Sequence, residues 1–142
     1  MSRILIVEDY AITREPLARL LRYEGYEVDC AANGVEAMQY LEQQLPDLIL
    51  LDVMMPKMNG IALLETMRAN ERLKHVPVIA ITGSQDSSHI GSIRACNVLT
   101  IFSKSRFTID ELLSEMERCL KAKASPVGTP VDHTVAISHR QA

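Results

Sequence analysis

The sequence predicts an α/β fold, a doubly wound (βα)5 parallel sheet with strand order 2-1-3-4-5, and two observations carry that expectation. Ile4-Leu5-Ile6-Val7, Leu48-Ile49-Leu50-Leu51 and Val78-Ile79-Ala80-Ile81 are short, unbroken apolar runs. They lack the polar alternation of a half-exposed strand and fit strands covered on both faces. Between them lie segments whose apolar residues recur at helical spacing, and strands alternating with helices imply crossover units. Right-handed crossovers then place helices on both faces of the sheet.

Each element can be justified in turn. After the first strand, Leu17, Leu20 and Leu21 mark a helix that Gly25 stops. Pro16 is harmless only in a first turn, so that helix is expected to begin late, near Ile12 or Thr13, or to kink. Glu27 to Ala31 alternates, which suits an edge strand. Val35, Met38 and Leu41 mark the second helix, with Gly34 before it and Pro46 after it. Ile61, Leu64 and Met67 mark the third. Ile90, Ile93 and Arg94 mark a weaker fourth, capped by Asp86 or Ser87. Leu99 to Ser103 is the fifth strand, with Asn97 in the turn before it, a residue that tolerates left-handed backbone. Ile109, Leu112, Leu113, Met116 and Leu120 mark the fifth helix, with Thr108 and Glu111 spaced as a capping box. The alternating second strand belongs at one edge and the three most apolar strands in the middle. Residues 1–123 form the expected domain, and 124–142, with no sustained period, read as a disordered or loosely attached tail.

Bulk properties narrow the function classes. A chain of 142 residues suits one domain. A net charge of −3 gives no general electrostatic reason to bind nucleic acid or anionic membrane. No apolar run approaches the roughly 20 residues that span a bilayer, and the N-terminus shows no secretion signal. Cys30, Cys96 and Cys119 lack metal-site or CxxC spacing and read as reduced thiols of a cytoplasmic protein. His75, His89, His133 and His139 have no paired spacing and are given no catalytic part. Met54, Met55 and Met58 read as packing and loop contacts, and Arg68, Arg72 and Lys74 as a solvated helix end.

Ligands of open parallel sheets bind beyond the carboxyl ends of the strands. Those ends are Glu8-Asp9, Asp52, Thr82-Gly83 and Lys104, and the strand order gathers them at one rim. Like charges about 5 Å apart cost around 3 kcal/mol per pair at an effective dielectric near 20. Lys104 offsets part of that, and a hard divalent cation bound by oxygens, Mg²⁺ above all, offsets most of it. Mg²⁺ keeps waters and recruits phosphate oxygens, so the pocket suits a phosphoryl group. Aspartate can form an acyl phosphate, and transfer needs in-line attack with neutralised equatorial oxygens. Asp52 therefore reads as nucleophile, Glu8 and Asp9 as metal ligands, and Thr82 and Lys104 as oxygen binders, with Gly83 leaving room at Thr82.

The stretches "ILIVEDY", "LILLDVMMPKMNG", "VIAITG" and "FSKS", in that order, resemble the receiver domain of the two-component response regulators, a flavodoxin-like fold. The resemblance covers about Arg3 to Lys121. It implies a phosphoprotein of signal transduction, not an enzyme in the usual sense, whose Asp52 accepts a phosphoryl group from a histidine kinase or a histidine phosphotransfer protein. It implies Mg²⁺ as cofactor, with Mn²⁺ able to substitute, and the backbone carbonyl of Met54 as a further metal ligand. Pro56 and Gly60 would shape the loop into the third helix. Phosphorylation would draw Thr82 inward and change the surface of helix 4, strand 5 and helix 5, on which a downstream protein or a second copy would bind. A single-domain regulator, or a receiver separated from its output module, is the expected organisation, with slow self-hydrolysis and no DNA-binding segment.

Two positions depart from that family. Ser105 stands where a proline usually follows the lysine, often across a cis bond. A cis bond before a non-proline residue costs about 2.5–4 kcal/mol, so the expectation is a trans bond with a shifted loop, or a cis bond held by its neighbours. Ile101 stands where an aromatic usually couples to the threonine, and Phe102 points to the opposite face. These departures keep a phosphorylation-independent binding module as an alternative. A phosphatase of the haloacid dehalogenase type would want an acid two residues after Asp52, where Met54 stands. A flavodoxin-like electron carrier would find Glu8-Asp9 repelling its flavin phosphate.

Overall fold

A computed structural model describes residues 1–53, 60–83 and 87–124. The described residues fall in two compact units, Met1–Arg106 and the segment from Phe107 onward. In the first unit, β1 (Arg3–Val7), β2 (Glu27–Ala31), β3 (Leu48–Asp52), β4 (Val78–Thr82) and β5 (Thr100–Ser103) form one sheet in the order β2-β1-β3-β4-β5. Every pairing is parallel. The helices of this unit are α1 (Ala11–Tyr23), α2 (Gly34–Gln43), α3 (Gly60–Arg68) and α4 (Ser87–Ala95). The expected fold class and strand order are those observed.

The apolar runs are continuous because both faces of the central strands are covered. Leu5, Val7, Ile49, Leu51, Val78 and Ala80 enter one core with Ala37 and Leu41 of α2, Leu63, Leu64 and Met67 of α3, and Ile93 of α4. Their neighbours Ile4, Ile6, Leu48, Leu50 and Ile79 face the other way and are equally buried. α1 lies against β1 and β2 and buries Ala18 and Leu21.

Local chemistry sets the boundaries. α1 ends in a paired turn: Gly25 N–H donates to Arg22 O at 3.0 Å and Tyr26 N–H to Leu21 O at 3.1 Å. That closure needs left-handed backbone, and Gly25 has φ +100°. Asn97 makes the corresponding turn before β5 at φ 58°, as its side chain permits. Asn33 caps α2 by accepting Glu36 N–H at 2.9 Å, while the Glu36 carboxylate accepts Ala32 N–H at 2.9 Å.

Several expectations need correction. α1 begins at Ala11, earlier than Pro16 suggested, so the proline lies within the helix. It removes a donor that Ile12 O would have received, and Ile12 is 90% exposed, where water can supply the bond. Val35 is half exposed, and α2 buries Gly34 and Ala37 together with the expected Leu41. The proposed solvated end of α3 is a clasp. The Arg68 guanidinium donates to Cys96 O at 2.7 Å, to Lys74 O and Val76 O at 3.0 Å, and to Asn97 O at 3.3 Å. Arg72 donates to Leu41 O. The Asp86 cap lies outside the described residues, as do Pro56 and the tail from 125.

In the second unit, α5 (Ile109–Ala124) starts from the expected capping box. Glu111 N–H donates to Thr108 Oγ1 at 3.1 Å and Thr108 N–H to Glu111 Oε1 at 2.8 Å. The buried stripe is Leu112, Glu115, Met116 and Cys119, and Ile109 at the first turn is exposed. No described helix is long and apolar enough to cross a membrane.

Candidate functional site

The parallel register aligns the strand ends. Val7 sits opposite Leu51, Asp52 opposite Ile81, and Thr82 opposite Ser103. Glu8, Asp52, Thr82 and Lys104 therefore emerge at one level of the sheet. Asp52, the last residue of β3, is 3% exposed; Glu8 is 5% and Thr82 2% exposed. One carboxylate oxygen from each of Glu8, Asp9 and Asp52 lies within 4.8 Å of the others.

Lys104 is the cation that partly offsets this charge. Its Nζ lies 3.0 Å from Asp52 Oδ2 and 3.1 Å from Glu8 Oε1. Its backbone N–H donates to Thr82 O at 2.8 Å, which fixes the chain just past β5 against β4. Burial pulls the Lys104 ammonium down, but its bonds to Asp52 and Glu8 prevail and hold it above its ordinary value. Burial pushes the Glu8 carboxyl up to about 7, and the neighbouring Asp52 and Asp9 add to the rise against the opposing pull of Lys104. The cluster thus holds more negative charge than its lysine can satisfy.

Asp9 shows the deficit most plainly. Its Oδ1 is buried and has no hydrogen-bond partner among the described residues. An unpaired buried carboxylate oxygen is costly, and a hard cation is the group whose chemistry removes that cost. The three carboxylates offer the hard oxygen donors that Mg²⁺ takes, each with one oxygen within 4.8 Å of the others. The further ligand expected from Met54 lies outside the described residues.

Two residues that sequence reasoning did not assign also reach the site. Tyr10 places its ring 5.5 Å below Lys104 Nζ, a cation–π distance. Arg14 Nη1 donates to Glu8 O at 2.8 Å and Asp9 O at 3.3 Å. Their partners are a side-chain ion and backbone carbonyls, which leave no spacing signal in the sequence. The Lys104–Ser105 bond is trans, one of the two outcomes that Ser105 allowed. A Cβ at Gly83 would meet nothing within 4 Å among the described residues, which leave the space beside Thr82 open. Ile101 packs toward the core of α2, α3 and α4, while Phe102 takes no part in that core.

A layered α/β domain with an acidic rim at its carboxyl strand ends is the class of protein this geometry defines. The response regulator receiver domain matches residues 4–117, and the chain belongs to that family. It is 36% identical over 129 residues to the transcriptional regulatory protein CpxR homolog of Haemophilus influenzae, covering 89% of this chain and 53% of that protein. The chain thus spans about half the length of that relative and of several similar response regulators. It is 33% identical to sporulation initiation phosphotransferase F of Bacillus subtilis, covering 87% of this chain and 98% of that one. Among solved structures, the signal receiver domain of a signal transduction histidine kinase from Syntrophus aciditrophicus matches with a TM-score of 0.81. That match has 32% identity and covers 89% of this chain and 96% of the other.

Proposed function

We propose that this chain is a phosphoacceptor of two-component signalling and that Asp52 takes the phosphoryl group from a phosphohistidine. The donor is a histidine kinase or a histidine phosphotransfer protein. An Asp52 carboxylate oxygen attacks phosphorus in line; the new O–P bond forms as the N–P bond breaks, and the imidazole leaves with the electron pair and takes up a proton. Glu8, Asp9 and Asp52 would hold Mg²⁺ or Mn²⁺, with the Met54 carbonyl as a further ligand. When bound, the metal supplies neutralisation of the charge on the transferring phosphoryl oxygens.

The remaining roles belong to the chain itself. Lys104, already on Asp52, would follow the charge onto a phosphoryl oxygen as the carboxylate becomes an ester-like acyl group. The Thr82 hydroxyl would donate to another. Slow hydrolysis of the acyl phosphate restores the carboxylate. The output is protein–protein binding, including a phosphorylation-dependent contact with a second copy. Residues 1–123 serve as the receiver and 124–142 as its tail, in a cytoplasmic protein.

The observation that carries this reading is the burial of Asp52 beside two more carboxylates with Lys104 bridging two of the three. Incubation with acetyl phosphate and Mg²⁺ followed by intact mass measurement tests it. The mass should rise by one phosphoryl group, not at all in Asp52→Ala, and little in the presence of EDTA. Phosphorylation that persists in Asp52→Ala would assign the acceptor elsewhere.

A further inference from the structure

We infer that Arg14 is the positioning residue of the acidic cluster: it ties down the turn between β1 and α1 so that Glu8 and Asp9 face Asp52 before a cation arrives. This rests on the reading of the three carboxylates as a cation site.

Carboxylates this close repel by about 3 kcal/mol per pair at an effective dielectric near 20. A turn carrying two of them relaxes by rotating its backbone unless something holds it. Lys104 holds the Glu8 and Asp52 side chains, but Asp9 Oδ1 has no hydrogen-bond partner among the described residues. The Asp9 side chain also meets the Glu8 carboxyl, a contact between two acids that holds only while one of them keeps a proton, so the main chain is what can hold Asp9 in place when both are ionised.

Arg14 holds that main chain. Its guanidinium binds the carbonyls of Glu8 and Asp9, and its own N–H donates to Tyr10 O at 2.8 Å. One residue thus binds three successive carbonyls. Tyr10, the residue before α1, makes no side-chain cap; locally the turn has a long 3.5 Å bond from Tyr10 N–H to Glu8 Oε2, and the Arg14 guanidinium adds the closer hold on the Glu8 and Asp9 carbonyls. The Arg14 side chain is only 16% exposed, and its Nε lies 3.5 Å from Glu15 Oε2. Both carbonyls are served by the one nitrogen Nη1, which the long, stiff guanidinium carries to them; a lysine ammonium keeps the charge but sits on a more flexible stem.

Geometry and charge predict opposite signs for its removal. If Arg14 acted only through its charge, its loss would tighten the binding of a divalent cation. If it acts by holding the ligands in place, its loss weakens binding. Groups that orient metal ligands typically carry roughly 10-fold or more in affinity.

The test is calorimetric titration of the full chain with MgCl2, with Mn²⁺ binding by electron paramagnetic resonance as a second probe, and thermal unfolding in EDTA to verify the fold. Arg14→Gln should weaken binding of both ions roughly 10-fold. Arg14→Lys should also weaken it, by less. Should Arg14→Gln fail to fold, Arg14→Lys takes its place under the same criterion. Affinity equal to or tighter than wild type overturns the role of Arg14 and leaves the cation site standing. Wild-type protein that binds neither ion overturns the site and this role together.

Discussion

Lys104 Nζ stands 3.0 Å from Asp52 Oδ2 and 3.1 Å from Glu8 Oε1, so one ammonium serves two buried carboxylates. Its value for folding is modest, because burying an ion pair costs about as much as the pair returns. Its value for chemistry is larger. If Asp52 takes the phosphoryl group, as proposed, negative charge moves outward from its oxygen, and a cation already in contact can follow it without reorganisation.

Lys104→Met separates the two roles. Loss of one positive charge from the rim leaves three carboxylates with less competition for a divalent ion. Affinity for Mg²⁺ should therefore stay level or rise, while the initial rate of phosphoryl incorporation from acetyl phosphate falls at least roughly tenfold, the range typical of a single charge-stabilising group. A parallel loss of metal affinity and phosphorylation would mean that Lys104 acts by holding the fold of the rim.

Glu8 links the same charges to pH. Its carboxyl is raised to about 7 from an ordinary value of 4.5, chiefly by burial. The folded state therefore holds a proton that the unfolded state releases between those values. By linkage, stability falls as pH rises through that window: the contribution is present below pH 4.5 and lost by about pH 7. In EDTA, the thermal midpoint of wild type should decline across this window more steeply than that of Glu8→Gln. Mg²⁺ bound at the proposed site would displace the proton, so its affinity should drop as pH falls below about 7. Equal slopes for wild type and Glu8→Gln would assign the titration to another group.

What could be read from the chain follows from what leaves a pattern in it. A parallel sheet with both faces covered forces unbroken apolar strands, and strand order forces their carboxyl ends together. Asp52, Glu8, Asp9, Thr82 and Lys104 were therefore legible as one rim. Gly25, Asn97 and the Thr108–Glu111 box were legible because left-handed backbone and capping restrict residue choice. Val35 and Ile109 misled because an apolar residue in a first helical turn has the right period and still faces solvent. Arg68 and Arg14 were invisible for a different reason. Their partners are backbone carbonyls, which every residue has, so nothing in the sequence distinguishes the bound ones.

Arg68 is the clearest case of such hidden structure, and removing it should be costly. Its guanidinium serves carbonyls in two separate turns, before β4 and before β5. A buried acceptor left without a partner costs about 1–3 kcal/mol. Water would reach some of these turns, so Arg68→Ala should lose about 3 kcal/mol in urea denaturation. The thermal midpoint should fall by roughly 10 °C for a domain of this size. Arg68→Lys should recover little, because an ammonium lacks the planar fork. A loss below about 1 kcal/mol in Arg68→Ala would show that water replaces the whole clasp.

Gly60 and Gly91 form a matched pair for testing how tightly the chain past Asp52 is held. Gly60 N–H donates to Val53 O at 3.0 Å, which brings the first turn of α3 against the residue after Asp52. A Cβ added at Gly60 would overlap Val53, lying 2.9 Å from its Cβ and nearer still to its Cα. Backbone cannot swing aside as a flexible side chain can, so Gly60→Ala should destabilise by about 2 kcal/mol or more. Because Val53 adjoins the proposed acceptor, the same change should also slow phosphoryl incorporation. Gly91 lies within α4, and a Cβ there would meet nothing within 4 Å. Gly91→Ala gains helix propensity without a clash and should stabilise by roughly 0.5–1 kcal/mol. Urea midpoints moving in opposite directions for the two variants would show that Gly60 is required by close approach. Matching gains in both would show that the β3–α3 connection has room to spare and that Asp52 is not held through Val53.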